Sequence, residues 1–341
     1  MATLRRRTWL LSALGAGGAL VVGWAALPAR SRLGTAASML PTEGDVALNG
    51  WIKIAPDGAV ILAMPRSEMG QGVHTGLAML VAEELDLPLA QIRLEQAGHD
   101  TIYGNVSMLL ASLPFHPLES EGEGEGEGQA RPLKVRLGTW MVGKIARELG
   151  INATGGSSSL ADAWDTLPLA AATARAGLLG AAAARWQLPL GELRLQDGRV
   201  HHPSGKSVHF GELAATALDH PTPVRLKARK DWTLIGQSAP RLDLGAKVNG
   251  VARFGIDVRL PGMLFAAVRM CPMLGGSVGA LDAKAALALP GVIKLVPLEA
   301  LAGATAGFAV VAGNSWQASR AAGSRAHPPS QWPGQGGHTG I

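Results

Sequence analysis

Two short runs of glycine and hydroxyl residues carry the side chains and backbone best suited to chemistry. The first is Ser67-Glu68-Met69-Gly70-Gln71-Gly72-Val73-His74-Thr75, followed by a stretch of helical character. Gly70 and Gly72 open backbone angles closed to other residues and let main-chain N–H groups approach a ligand closely. Such a loop feeding a helix start directs N–H groups and a positive dipole end at whatever occupies it. Gln71 adds an amide that both donates and accepts, and Thr75 adds a hydroxyl near the first turn. The second run is Thr154-Gly155-Gly156-Ser157-Ser158-Ser159, again ahead of helical residues. Together they suit an anion or a polar heterocycle. Taken separately, the first also reads as a turn and cap, and the second as a Gly/Ser linker or N-cap.

The elements that position these loops follow from periodicity. Trp51–Ile54 and Ala59–Met64 flank Pro56-Asp57-Gly58, the composition of a hairpin turn, and the second strand leads into the glycine loop. Leu77, Leu80, Val81 and Leu85 recur at helical spacing, which predicts a helix with Glu83, Glu84 and Asp86 turned outward. Gln91–Glu95 alternates as a half-buried strand and leads to His99-Asp100. With no second His/Asp cluster at ligand spacing, that pair reads as a polar loop bracing the pocket rather than half a metal site. Helical periodicity returns near Trp140–Leu149 and over Leu169–Trp186. Short strands are expected between Gly191 and Phe210.

The chain has 341 residues, 47% of them hydrophobic, a net charge of +5 and one cysteine, Cys271. That length allows roughly two domains. A single thiol excludes an internal disulfide and an iron–sulfur cluster of the chain's own, which takes about four thiolates. Electrons, if the protein moves them, pass to another subunit. The basic patch Arg225–Lys230 lacks interleaved aromatics and reads as a solvated linker, which argues against a nucleic-acid partner.

Arg5-Arg6-Arg7 precede an uncharged run from Thr8 to Ala29, the pattern of an export signal of the twin-arginine type. The run is long enough to cross a bilayer, so a cleaved signal and a retained anchor through residues 8–29 both stay open. The expected organisation is a signal or anchor over 1–30, a polar spacer over 31–50, and a first domain over 51–230. That domain is interrupted by a disordered Glu-Gly insertion at about 117–130. A second domain over 231–322, built of short strands and two helices, and an irregular tail over 323–341 complete an α+β chain.

Four motifs in order carry a resemblance: Ser67–Val73, His99-Asp100, Thr154–Ser159, and Arg241-Leu242-Asp243 followed by Lys247, Phe254–Val258 and Leu260–Val268. They resemble the molybdopterin-binding large subunit of the xanthine dehydrogenase/aldehyde oxidase family, in particular the isoquinoline 1-oxidoreductase β-subunit type. The resemblance implies part of a molybdenum-cofactor-binding domain followed by an α/β hammerhead-like domain. It implies that Met69, Gly70, Gln71, Gly72, His74 and Thr75, with Gly156, Ser157, Ser158 and Ser159, contact a molybdenum–molybdopterin cytosine dinucleotide. It further implies hydroxylation of an N-heterocycle or aldehyde, with water as oxygen source. The partners would be a small 2Fe–2S subunit and a cytochrome c acceptor, on the periplasmic side of a bacterial membrane. Family members are roughly twice as long, and the run from His327 onward departs from them. The chain is therefore expected to be a C-terminally truncated product with no catalytic residue to assign. The alternative function is a non-catalytic product that folds in part without stable cofactor.

Overall fold

The computed structural model describes residues 23–24, 26–115, 132–273, 276, 278 and 283–323. The export signal before residue 23, the Glu-Gly tract and the tail after Gly323 lie outside them. Two compact units are present, Met1–Ala252 and Arg253–Ile341.

The first unit is built on a four-stranded sheet: β1 (Val46–Ala47), β2 (Ile52–Ile54), β3 (Val60–Met64) and, after helix α1 (Val73–Glu84), β4 (Ile92–Gln96). The strand order is β1-β2-β3-β4. The expected hairpin pairs Ile52 with Leu62 and Ile54 with Val60, both antiparallel. Its turn is closed by Gly58 N–H donating to the Ala55 carbonyl at 2.8 Å, with Gly58 at φ 79°. β4 lies parallel to β3, Val60 opposite Ile92 and Met64 opposite Gln96. A parallel pair cannot be joined by a tight turn, so α1 serves as the crossover. The glycine loop thus leaves the carboxyl end of a central strand, where open α/β sheets bind ligands. All five residues of β3 are buried, as expected of a strand covered on both faces.

The chain continues through α2 (Val106–Ala111), α3 (Leu133–Leu149), α4 (Ser159–Ala163) and α5 (Thr166–Trp186). The antiparallel meander of β5 (Arg194–Gln196), β6 (Arg199–His201) and β7 (Ser207–His209) follows, then the short helices α6 (Phe210–Leu213) and α7 (Leu244–Val248). The small residues Ala170, Ala171, Ala174, Ala181 and Ala182 of α5 are buried with Leu77 and Val81 of α1, and with Leu85 that caps it, in one core with the sheet. In that core Trp51 and Tyr103 meet edge to face, ring centroids 5.0 Å apart. The Tyr103 hydroxyl donates to the Gly50 carbonyl, and burial pushes its pKa above the ordinary tyrosine value.

The second unit holds β8 (Phe265–Met270), α8 (Ala283–Leu287), β9 (Val292–Leu298), β10 (Gly307–Ala312) and α9 (Ser315–Gly323). Its sheet runs β8-β10-β9, antiparallel throughout. Phe308 and Val310 pack on Ala321 and Ala322. Helix and strand are mixed in both units, in agreement with the α+β expectation.

Several expectations differ from the structure. Glu83 and Glu84 are buried rather than turned outward, 2% and 3% exposed. Glu83 accepts the backbone N–H of Thr233, Leu234 and Ile235 at 2.7–3.1 Å and pairs with Lys227 at 2.7 Å. Glu84 pairs with Arg175 at 3.0 Å and accepts the Lys227 backbone N–H at 3.0 Å. Helical periodicity therefore marks the apolar stripe correctly and misses two acids that anchor a later segment. For the same reason Arg225–Lys230 is not a free solvated linker, because Lys227 ties it to the end of α1. The division between units falls after Ala252 rather than near Asp231, since Lys227, Thr233, Leu234, Ile235 and Leu242 are hydrogen-bonded to α1. Residues 232–258 form turns and α7 rather than short strands, their Gly, Asn and Pro residues having no sheet partner. Finally, the spacer between Arg32 and Asn49 is woven into the unit. Trp51 donates its indole N–H to the Arg32 carbonyl at 2.7 Å, and Asn49 donates to the Ala170 carbonyl at 2.9 Å.

Candidate cofactor-binding site

The two glycine loops line one cleft of about 650 Å³, formed by Met69, Gln71, Gly72, Val73 and Gly76 on one side and Thr154–Ser157, Ser159 and Leu160 on the other. What brings them together is a buried carboxylate. Asp162 on α4 receives Arg66 at 2.7 Å and Arg32 at 2.8 Å on the same oxygen. Its other oxygen accepts the N–H of Val106 and Ser107 at the start of α2. Arg66, the residue before the first loop, also donates to the Tyr103 carbonyl at 2.9 Å and to Asn152, which precedes the second loop, at 2.6 Å. Asn105 completes the frame. Its amide donates to the Ala153 carbonyl at 3.0 Å and to the Ser158 hydroxyl at 2.8 Å, while its oxygen caps α2 at Met108. A direct bond joins the loops as well, Ser67 N–H to the Thr154 hydroxyl at 2.9 Å.

Within the first loop, the amides are not free as the glycine pattern suggests. Glu68 folds beneath it and accepts the N–H of Gly70 at 2.8 Å, Gly72 at 3.0 Å and His74 at 3.2 Å. The orphan donors at the start of α1 are thus satisfied by a carboxylate a few residues earlier. Partial burial opposes ionisation of Glu68, but those three N–H groups and the Arg241 guanidinium outweigh it and hold its pKa below the usual carboxylate range. Gln71 is turned onto the loop itself, accepting from Met69 N–H at 2.6 Å and donating to the Ser67 carbonyl at 2.9 Å.

Of the residues singled out from sequence, Met69, Gln71, Gly72, Gly156, Ser157 and Ser159 line the cleft; Gly70, His74, Thr75 and Ser158 do not. His74 bonds the Arg66 carbonyl through its ring at 3.0 Å. The buried Thr75 hydroxyl accepts the Leu242 N–H at 3.0 Å. Ser158 is buried and donates to the Gly155 carbonyl at 2.7 Å. The Gly70 carbonyl accepts from Arg241 at 2.8 Å. Asp100 caps the turn Thr101–Tyr103 and accepts from Ser38 at 2.7 Å, consistent with a bracing loop. Among the described residues no cluster of three or more His, Cys, Asp or Glu side chains could hold a metal ion.

Sequence pattern alone does not find Arg32, Arg66, Asn105 and Asp162, and it marks Thr154 and Gly155 only as part of a motif, not as cleft residues. Thr154 and Gly155 stand inside a marked motif, where their neighbours attract the assignment. The others have partners up to 130 residues away and leave no local pattern. A pterin-sized polar ligand fits what is present. A side-chain carbon added at Gly72, Gly155 or Gly156 would meet nothing within 4 Å, so bare backbone is open there. A cleft of this volume is of the size that takes small-molecule ligands.

Asp162→Asn keeps the shape and removes the charge between two buried guanidinium groups. Loss of one partner from a buried ion pair costs about 3–5 kcal/mol. Urea unfolding of the variant should show a loss of that order, and a change within the surface range of about 0.5 kcal/mol would contradict the role given to Asp162.

Comparison with known proteins bears on the family. A model of the molybdopterin cofactor-binding domain matches residues 9–111. The chain is 31% identical to the β-subunit of isoquinoline 1-oxidoreductase from Brevundimonas diminuta, over 81% of its own length and 35% of that protein. It is 30% identical to one of the subunits of nicotinate dehydrogenase from Pseudomonas putida, over 84% of its length and 21% of that protein. It is also 26% identical to a membrane-bound aldehyde dehydrogenase (pyrroloquinoline-quinone) of Gluconacetobacter polyoxogenes, over 93% of its length and 36% of that protein. The chain thus spans between a fifth and just over a third of these three relatives. Within that span, it belongs with the molybdenum-binding subunits of the xanthine dehydrogenase family.

Proposed function

We propose that the cleft between the two glycine loops holds part of a molybdenum–molybdopterin cytosine dinucleotide. In this reading the chain serves in the oxidation of an N-heterocycle or aldehyde, with water as oxygen source. The observation that carries it is the single cleft shared by Gln71, Gly72, Gly156, Ser157 and Ser159. Their loops are far apart in sequence and are joined by the Ser67–Thr154 bond, across 87 residues. The relatives' names, which point to isoquinoline, nicotinate and aldehyde, support the substrate class.

When bound, the cofactor supplies the redox chemistry and the exit route for two electrons. This chain's residues hold and orient it. Gly72, Gly155 and Gly156 admit close backbone approach, Ser157 and Ser159 offer hydroxyls, and Gln71 offers an amide by exchanging its bonds within the loop. Glu68 is no general base, because its oxygens are occupied and its pKa is depressed, whereas a base works best near the operating pH. In this reading the electrons pass to a partner, a small 2Fe–2S subunit with a cytochrome c beyond it, since the single cysteine of this stretch supplies no cluster ligands of its own. The stretch 231–322 is read as hammerhead-like. Arg5–Arg7 ahead of the apolar run assign the chain to the periplasmic side of a bacterial membrane.

Gly155→Val tests the cleft without straining the fold, since this glycine is free of positive φ and an added carbon meets nothing within 4 Å. In protein purified from its native bacterial host, molybdenum and cytidine nucleotide should be present together in the wild type. Both should fall in the variant at unchanged melting temperature. Losing one polar contact, about 1–3 kcal/mol, weakens retention roughly ten- to hundredfold. Wild-type protein without either component, or a variant that retains both in full, would overturn the reading. For the address, replacing Arg6 and Arg7 with Lys should leave the protein in the cytoplasm, and an unchanged periplasmic yield would refute export by this route.

A further inference from the structure

Arg241 is 173 residues from Glu68, yet its guanidinium donates to the Glu68 carboxylate at 2.9 Å and to the Gly70 carbonyl at 2.8 Å. It is itself gripped by Asp243, through Nε at 2.9 Å and Nη2 at 2.9 Å, and Lys247 pairs with the same carboxylate. The residue between them, Leu242, donates its N–H to the buried Thr75 hydroxyl in the first turn of α1. A strap from a distant part of the unit is therefore fastened to both ends of the glycine loop. Two acids, Glu68 and Asp243, face two bases, Arg241 and Lys247, so the cluster beneath the loop carries no net charge.

We infer that Arg241 is a positioning residue: it holds Glu68 in the anion position formed by the N–H groups of Gly70, Gly72 and His74, so that the loop offers its cleft side to a neutral polar part of a ligand and not to a phosphate. The inference deepens the cofactor reading and rests on it for the ligand. Three amides already satisfied by a carboxylate have nothing left to give a second anion, and charge-assisted bonds of this kind are the stronger ones. Any phosphate of a bound dinucleotide must then sit away from this loop. The depressed pKa of Glu68 and Asp243, the latter set first by its bond to Arg241, keeps the cluster ionised at neutral pH.

Hydrogen exchange of the Gly70, Gly72 and His74 amides tests the strap in the full chain. They should be protected in the wild type. In Arg241→Ala they should exchange roughly ten- to hundredfold faster, as expected for loss of a charge-assisted bond. Arg241→Lys should recover part of the protection. In Glu68→Ala the same amides should open, and added acetate should close them again by filling the vacated anion position. Inorganic phosphate added to wild-type protein should leave their exchange unchanged. Unaltered exchange in Arg241→Ala, equal acceleration throughout α1 and β3, failure of acetate to restore protection, or protection gained from phosphate would each overturn the proposal. Because these measurements need no cofactor, they are separable from the cofactor reading. Molybdenum-free wild-type protein showing the stated exchange pattern would sink that reading and leave the strap standing.

Discussion

The cleft depends on one buried carboxylate. Asp162 is the point at which the approach to the first loop, the start of α2 and the segment before the sheet are held at fixed distances, through Arg66, the Val106 N–H and Arg32. Both arginine partners and Asp162 itself are nearly withdrawn from water, with side chains 1–10% exposed. Such a cluster is a poor source of net stability, because the desolvation of three charges offsets most of their attraction. Its effect is on arrangement. With the remaining lone pairs and N–H groups directed to backbone partners, few other packings of the loops satisfy the same groups.

Two further carboxylates repeat the device on α1. Glu68 closes the N-terminal end of the helix, and Glu83 closes a ring of three N–H groups from residues 233–235 near its other end. Between them they attach the stretch 227–243 to the helix that carries the glycine loop. Burial of Glu83 opposes its ionisation, yet its bonds to Lys227 and the three amides prevail and lower its pKa. Glu84, one residue on, is pushed the other way, burial outweighing its own partners. Neighbouring acids on one helix thus differ in kind according to what they meet. The first loop becomes a closed turn, with the N–H groups of Gly70 and Gly72 bonded beneath it and the Gln71 amide bonded within it.

What is legible in the sequence is what local pattern encodes. The hairpin at Pro56-Asp57-Gly58, the crossover helix, the strand at Ile92–Gln96 and the meander before Phe210 all announce themselves through turn residues and periodicity. So do both glycine loops, because glycine beside hydroxyl residues is visible without a partner. Their meeting in one cleft can be expected only from the order of motifs and the resemblance these carry. What stays hidden is the frame. Arg66, Asp162, Arg32 and Asn105 each look like an ordinary surface residue in a linear reading, and a charged residue on a helix is assigned to water by default. That rule places Glu83 and Glu84 outward, and it leaves Glu68 as part of a motif rather than the cap of α1. The strands expected between residues 232 and 258 fail for a related reason. A β-rich composition makes a strand only where another edge is offered, and much of this segment is engaged by side chains instead.

Asp162 is held to keep the two glycine loops at one distance, and that distance can be measured directly. Spin labels at Met69→Cys and Ser157→Cys, on a Cys271→Ser background, report it by electron–electron double resonance. Met69 is well exposed and Ser157 borders the same cleft, so neither label disturbs the frame. One narrow distribution is expected in the labelled protein, and a broad one displaced to longer distance when Asp162→Asn is added. A narrow distribution unchanged by Asp162→Asn would contradict the role of this carboxylate.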